Sequence, residues 1–171
     1  MTYRLMHENL NLDNGSPVKI KWCDYDYFKF PLHFHNEYEI VYILKSSGTR
    51  FVGNSIQQYS DGDLVLLGSS LLYMCWSDPE YYTGRDDLRV NAITLQFSKD
   101  FFGHSINNYP ELNNIKKLLM KSKRGVYFHK NANKRIRTRM EKALELSGLP
   151  LLLECINILS LMSVSHNVTL L

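Results

Sequence analysis

The stretch HFHNEYEIVYILKSSGTRFVG, residues 33–53, decides the fold of this chain. Two β-rich runs, EIVYIL at 39–44 and TRFVG at 49–53, are joined by a turn at Ser47-Gly48. Four further runs of this kind flank them: VKIKWC (18–23), DLVLL (63–67), LLYMCW (71–76) and RVNAITLQF (89–97). Many short strands at a spacing of about ten residues, separated by Gly, Asp and Ser turns, predict a β-sandwich or a β-barrel.

Helical patterns replace the strands after residue 97. Pro110 is well placed as the first residue of a helix that reaches about Lys123, and Gly125–His129 has the pattern of one more short strand. This part of the chain is rich in lysine and arginine, most densely over residues 116–142. Such a charge run is typical of a solvated helix face, and its few aromatic residues do not favour nucleic-acid binding by this segment.

The end of the chain predicts two more helices. Asn131 can cap the first, and Gly148 can stop it. Its apolar face comprises Ile136, Met140, Ala143 and Leu144. Pro150 opens the last helix. We therefore predict a mainly β fold, with a barrel over residues 1–97 and a helical tail over 98–171, packed together as one domain.

Length and composition exclude several classes of protein. The chain has 171 residues, 44% of them apolar and 22% charged, which is typical of one globular domain. Its net charge of +3 is too small to indicate a polyanionic partner by itself. Three cysteines do not make a disulfide framework, and we expect all three to be core residues. The N-terminus lacks the apolar run of a signal peptide, and residues 149–164 fall short of a bilayer span, so we expect a cytoplasmic protein.

The chemically most distinctive segment is HFHNEYE at residues 33–39. On an extended strand His33, His35 and Glu39 would share one face, because alternate side chains point the same way. Two imidazoles and a carboxylate are a ligand set that zinc, iron, manganese or copper accepts. The same residues can instead line a polar pocket and hydrogen bond to one another. We expect them to project from one strand into the barrel interior.

These residues also carry a resemblance to a known family. The HxHxxxE motif at 33–39, Gly48 and the run YSDGDLVLLG at 59–68 resemble the two motifs of the cupin superfamily. The wider run through SDPEYY and ITLQFSKDFFG, with the helical stretches after it, is similar to the N-terminal sensor domain of AraC-type bacterial transcription regulators. The resemblance covers roughly residues 18–165 and implies a cupin-like double-stranded β-helix that binds a small-molecule effector and dimerises.

The resemblance has one departure that bears on metal binding. Family members with a histidine in the second motif would align it with Tyr73, and tyrosine is a poor substitute ligand for zinc. We therefore expect a sensor without a metal, a cofactor or catalytic residues. The alternative is a cupin metalloenzyme, an isomerase or a dioxygenase, that uses His33, His35 and Glu39 around a metal.

Further expectations concern the effector and the partners. Tyr73 and Trp76 should complete the barrel mouth, where aromatic faces with a polar tip suit an amphipathic metabolite such as a sugar. The ligand-binding residues predicted are thus His33, His35, Glu39, Tyr73 and Trp76. We expect a homodimer through the final helix, in which the contact residues are Leu151, Cys155, Ile158, Leu159 and Met162. AraC-type regulators bind DNA through a C-terminal helix-turn-helix domain, which we expect to be absent from this chain.

Overall fold

The computed structural model describes residues 5–10, 12, 15–131 and 133–171. Its strands are β1 (Met6–His7), β2 (Val18–Tyr25), β3 (His33–Phe34), β4 (Tyr38–Lys45), β5 (Gly48–Val52), β6 (Ser55–Tyr59), β7 (Leu64–Leu67), β8 (Tyr73–Ser77), β9 (Val90–Phe97), β10 (Val126–Phe128) and β11 (Val168–Leu170). Its α-helices are α1 (Ser105–Asn108), α2 (Asn113–Lys121), α3 (Lys134–Ala143) and α4 (Gly148–Ser163). Short 3-10 helices occupy Pro79–Thr83, Pro110–Leu112 and Ser122–Arg124. The predicted mainly β fold with helices after it is confirmed.

The strands form two sheets. The first has the order β1-β3-β8-β5-β6 and the second has the order β11-β10-β7-β4-β9-β2. All neighbours are antiparallel except β1 and β3, which are parallel. Within the described ranges, hydrogen bonds join the strands into these two sheets and not into one ring, so the predicted barrel takes the form of two facing sheets.

The second sheet is buried on both faces. Ile40 and Tyr42 of β4 belong to a core that they share with α2, α3 and α4, whereas Val41 and Ile43 belong to a core shared with β5 and β8. This follows from the alternation of side chains along a strand. The near-continuous apolar run EIVYIL is what a strand covered on both sides requires. One layer of strands therefore separates the helices from the space between the sheets.

Three strands have no counterpart in the sequence prediction: β1, which has two residues and pairs in parallel with β3, and the edge strands β6 and β11. β6 has the sequence SIQQY, whose polar residues do not show the pattern of a half-buried strand, and it lies at the edge of the first sheet. β11 is only three residues long and pairs with β10 at the edge of the second sheet. Both are placed by their antiparallel partners, which a single-sequence pattern does not contain. β10 and β11 belong to the part of the chain after residue 97 and extend the second sheet.

The predicted helices are present, with shifted boundaries. The helix expected from Pro110 is a 3-10 turn that leads into α2, and Asn133, not Asn131, is the residue before α3. Asn133 donates its side-chain Nδ2–H to the Phe128 carbonyl (2.9 Å) and so ties the start of α3 to β10. Gly148 does not end α3. It is the first residue of α4, where its φ of +55° suits the reversal between the two helices.

The inner face of α4 is part of the core of a single chain. All five residues predicted to form a dimer contact have exposed fractions of 7% or less. They are Leu151, Cys155, Ile158, Leu159 and Met162. The predicted dimer contact is corrected for a simple reason. The apolar stripe of a helix is normally buried against the sheet on which the helix packs, and it is then not available to a second chain. The large apolar residues that α4 exposes are Leu149 and Leu153, at 65% and 52%.

None of the helices in the described ranges combines the length and the hydropathy that a membrane span needs.

Gly48 makes a close approach between strands possible. A Cβ added at this position would collide with the Trp76 carbonyl oxygen of β8 and lie 2.8 Å from the Tyr59 hydroxyl, at a φ of +157°. We expect Gly48→Ala to lower the free energy of unfolding by about 2–3 kcal/mol, measured by urea denaturation. Gly84→Ala is the control, because Gly84 has a φ of +73° and open space around it. Conformational strain alone predicts a loss of about 1 kcal/mol there. Equal losses in the two variants would contradict the steric explanation.

Candidate functional site

A cavity of about 60 Å³ lies between the two sheets. β4 contributes Glu39, Val41 and Ile43 to its wall, because these alternate residues face away from the helices. The wall is unusual for a protein core because charged and polar side chains are interspersed with the apolar ones. These polar groups identify the cavity as the candidate site, since buried polar groups without a structural role often serve a ligand.

The sequence predicted His33, His35 and Glu39 together at the site, and all three are buried, at 4%, 2% and 3% exposure. His33 and Glu39 line the cavity, whereas His35 lies behind Glu39 and does not line it. They do not project from one strand as predicted. His33 lies in β3 of the first sheet, Glu39 lies in β4 of the second, and residues 35–37 cross between the sheets. The even spacing of these three residues therefore does not show that they belong to one strand, because the chain changes sheet between His33 and Glu39. The Ser70 backbone N–H donates to the His35 carbonyl (2.8 Å) and helps to hold the crossing in place.

A hydrogen-bond network joins His35, Glu39 and Tyr73. His35 Nε2–H donates to Glu39 Oε2 (2.7 Å), and the Tyr73 hydroxyl donates to the same oxygen (2.6 Å). The other ring nitrogen, His35 Nδ1, lies 3.1 Å from the Glu37 carbonyl oxygen, which can only accept. Both ring nitrogens thus face acceptors, so the geometry favours the doubly protonated imidazolium beside an ionised carboxylate.

The pKa values of the network follow from the same contacts. Burial alone would lower the pKa of His35, but the hydrogen bond and the charge of Glu39 outweigh it and raise this pKa above its usual 6.5. Burial alone would raise the pKa of Glu39, but its bonds with His35 and Tyr73 lower this pKa below the usual 4.5. The pKa of Tyr73 is well above its usual range because of burial and the neighbouring Glu39 charge. The network is an ion pair held by a neutral phenol.

These shifts predict how stability depends on pH. The Glu39 contribution is present above pH 4.5 and is lost as the pH falls through the lowered pKa of Glu39. The His35 contribution is present below pH 6.5 and is lost as the pH rises through the raised pKa of His35. We expect the difference in unfolding free energy between the wild type and Glu39→Gln to be largest between pH 4.5 and 6.5. Urea denaturation at a series of pH values measures it; a difference that grows steadily into the alkaline range would contradict it.

His33 makes its polar contacts outside this network. Its Nδ1–H donates to the Pro31 carbonyl (2.8 Å), and its Nε2 lies 3.5 Å from Glu8 Oε2. Its ring packs on Tyr73, with 4.3 Å between the ring centroids. His33 and His35 therefore present their ring nitrogens to different carboxylates and not to a common point.

The residues do not fit the metal centre that cupins commonly hold. Both His35 nitrogens face protein acceptors, His33 faces Glu8, and the second-motif position is occupied by Tyr73, which donates to Glu39. Within the described residues there is no group of three or more His, Cys, Asp or Glu side chains that could hold a metal ion. The ring nitrogens and carboxylate oxygens that would bind a metal ion in an open site are occupied here by hydrogen bonds within the protein.

The two predicted aromatic residues separate. Tyr73 is buried and lines the cavity, but Trp76 is 45% exposed and does not line it. Trp76 lies three residues after Tyr73 on β8, so alternation directs it to the outer face of the first sheet, against Phe51. The predicted role of Trp76 in the cavity wall is therefore corrected, and Cys75 takes the inward position instead.

The cysteines behave as predicted. Cys23 and Cys75 line the cavity, and Cys155 is buried under α4. All three are free, and burial raises the pKa of both Cys75 and Cys155 to about 12. Protonated thiols of this kind are poor nucleophiles, so they serve as small apolar residues.

The sequence prediction missed two cations of the cavity wall, Lys21 and Arg50. Arg50 is the third residue of β5, between Gly48 and Val52, and all three are buried. Lys21 lies two residues before the buried Cys23 on β2. Alternation alone would have found both, since each shares a face with an inward-facing neighbour. They were missed because a charged residue in a strand is usually assigned to the solvent side.

Comparison with known proteins places the fold in a class. No family model matches the sequence, and no curated protein matches it. Solved structures do share the fold, and one of them is ToxT from Vibrio cholerae, an AraC-family regulator. ToxT is 11% identical over 83% of this chain and 54% of its own, with a TM-score of 0.51. This likeness confirms that the chain has the fold predicted from its resemblance to regulators of this kind.

Two further structures illustrate the range of the likeness. ToxT from strain O395, bound to (E)-4-(8-methylnaphthalen-1-yl)but-3-enoic acid, is 12% identical over 84% of this chain and 54% of its own (TM-score 0.48). A cupin 2 conserved barrel domain protein from Salinispora arenicola is 15% identical over 57% of this chain and 77% of its own (TM-score 0.40). The chain thus spans about half the length of ToxT and shares its fold.

Proposed function

We propose that this chain is the effector-sensing domain of an AraC-type transcription regulator. A small molecule binds in the cavity between the sheets, and the helices carry its presence to a DNA-binding domain. The observation that carries the proposal is the polar wall of the cavity, to which Lys21, Glu39 and Arg50 all contribute. The fold shared with ToxT supports the assignment to this class of regulator.

The architecture supports a short route for the signal. Val41 and Val65 face the cavity, and their neighbours Ile40 and Leu66 face the helices from the same strands. A ligand that alters the spacing of the sheets therefore displaces side chains of the core that the second sheet shares with the helices. Close-packed interiors transmit such displacements because they have little free volume to absorb them.

The proposal is tested by native mass spectrometry of the gently purified chain. We expect a bound small molecule, and we expect Val41→Phe to lose it because the added ring occupies the cavity. Ile56→Phe is the matched control, since Ile56 is 67% exposed on an edge strand and should leave occupancy unchanged. Equal occupancy in both variants would show that the molecule binds elsewhere and would contradict the proposal.

A cupin metalloenzyme is the alternative that the residues favour less. We expect elemental analysis of protein purified without added metal to find well under one transition-metal ion per chain, because His35 and Glu39 bind each other. One metal ion per chain in the wild type that is lost in His35→Ala would reverse this order of preference.

We also propose that the chain forms a homodimer, through the outward face of α4. Leu149 and Leu153 supply its exposed apolar surface. Leu153→Glu is then expected to shift the sedimentation coefficient from that of a dimer to that of a 20.0 kDa monomer. A wild type that sediments as a monomer at micromolar concentration would contradict the proposal.

A further inference from the structure

The hydrogen bonds of Arg50 are incomplete. Arg50 is 3% exposed and lines the cavity. Its Nη1 lies 3.5 Å from Asp63 Oδ2 and its Nη2 lies 3.5 Å from Gln57 Oε1, whereas its Nε has no hydrogen-bond partner among the described residues. Guanidinium groups normally make charge-assisted bonds of about 2.7–2.9 Å. A buried guanidinium with one unmet donor and two long contacts has capacity for another acceptor.

Asp63, the nearest anion to Arg50, is shared with a second cation. Asp63 also lies 3.5 Å from Lys130 Nζ, so one carboxylate faces two cations. Lys21 adds a further cation to the cavity wall and has no ion-pair partner among the described residues. Of the anions on the wall, Glu39 is already bound by His35.

Glu8, the other anion on the cavity wall, faces His33. Neither Glu8 nor Glu39 makes an ion pair with Arg50, so the Nε–H of Arg50 is left without an acceptor among the described residues.

We propose that Arg50 binds the carboxylate of a small organic acid, which is the effector class of this cavity. The inference rests on the proposed function and names the chemistry of its ligand. A carboxylate matches the planar fork of a guanidinium with two parallel hydrogen bonds, which an alcohol or an amide does not. Tyr127 lies under the guanidinium, 5.5 Å from ring centroid to Cζ, and holds the plane of the fork.

The size of the cavity limits the acid. Its volume of about 60 Å³ is less than half that of a cavity of about 150 Å³ that holds benzene. The acid is therefore smaller than an aromatic ring, and propionate is a suitable probe.

The test compares sodium propionate with propionamide, which has the same shape without the charge. In isothermal titration of the full chain we expect propionate to bind at least about tenfold more tightly than propionamide. Arg50→Gln should abolish the preference for the acid. Arg85→Gln is the matched control, because Arg85 loses the same charge at an exposed site outside the cavity. Propionate binding that is equal in these two variants would overturn the inference.

A measurement on the wild type keeps the test decisive if Arg50→Gln does not fold. In ¹⁵N-labelled protein the Arg50 Nε–H resonance should shift with propionate and not with propionamide. Absence of the shift at saturating propionate, or absence of propionate binding at millimolar concentration, would overturn the inference. If native mass spectrometry nevertheless finds an uncharged molecule that Val41→Phe excludes, the sensing function stands and only the acid is wrong. If neither propionate binding nor a molecule in native mass spectrometry is found, both the acid effector and the sensing function are overturned.

Discussion

Leu159→Ala is expected to lower the free energy of unfolding by about 2–5 kcal/mol. Leu159 has no exposed surface and packs in the core between α4 and the second sheet. Truncation removes buried methyl groups and leaves a cavity that neighbouring strands cannot fill, because they are fixed by their hydrogen-bond ladders. Urea denaturation followed by circular dichroism measures the loss.

Ile56→Ala is the control, at an exposed site outside the dimer surface proposed on α4. Ile56 is 67% exposed on β6, so its truncation should change the unfolding free energy by no more than about 0.5 kcal/mol. A dimer contact at Leu159 would give the opposite pattern, with weaker association and an unchanged monomer. Similar losses in the two variants would show that α4 does not pack with this face against the sheet.

His35→Leu is expected to lower the free energy of unfolding by about 3–5 kcal/mol near pH 6. The variant leaves the Glu39 carboxylate, which is 3% exposed, with Tyr73 as its donor in the network. A buried charge that loses its counter-ion must either remain unpaired or take up a proton, and both cost free energy. The pKa of Glu39 should therefore rise above 4.5 in this variant.

Two further variants separate the ion pair from the rest of the network. Tyr73→Phe removes one donor and keeps the pair, so its cost should be about 1–3 kcal/mol. In the double variant His35→Leu with Glu39→Leu the buried charge is gone, and part of the stability lost in His35→Leu should return. A double variant less stable than His35→Leu would contradict the ion-pair account.

Much of the fold follows from local patterns. The six predicted strands, the strand at Val126–Phe128 and the three main helices all occur, because apolar periodicity records which face of an element is buried. β6 was missed because its polar sequence reflects an edge position. The sequence of a helix shows which face is apolar, but not whether the chain's own sheet or a second chain covers that face. Leu159 could therefore not be assigned to the chain's own core.

The residues of the candidate site could be predicted in part, but their arrangement could not. The types and the burial of His35 and Glu39 could be expected from their motif, but not the change of sheet at residues 35–37, which depends on tertiary pairing. Arg50 was accessible to a strict alternation argument and was overlooked as a surface charge. Trp76 was assigned to the cavity because it is aromatic, although its odd separation from Tyr73 places the two on opposite faces of β8.

The two-sided burial of the second sheet has an evolutionary consequence. Over residues 39–43 of β4 and 64–67 of β7, the odd-numbered residues face the cavity and the even-numbered residues face the helices. A substitution at Val41 or Val65 therefore changes the cavity wall while Ile40 and Leu66 keep the helices in place. Among descendants of a common ancestor, the odd positions of these strands are expected to diversify and the even positions to stay constant.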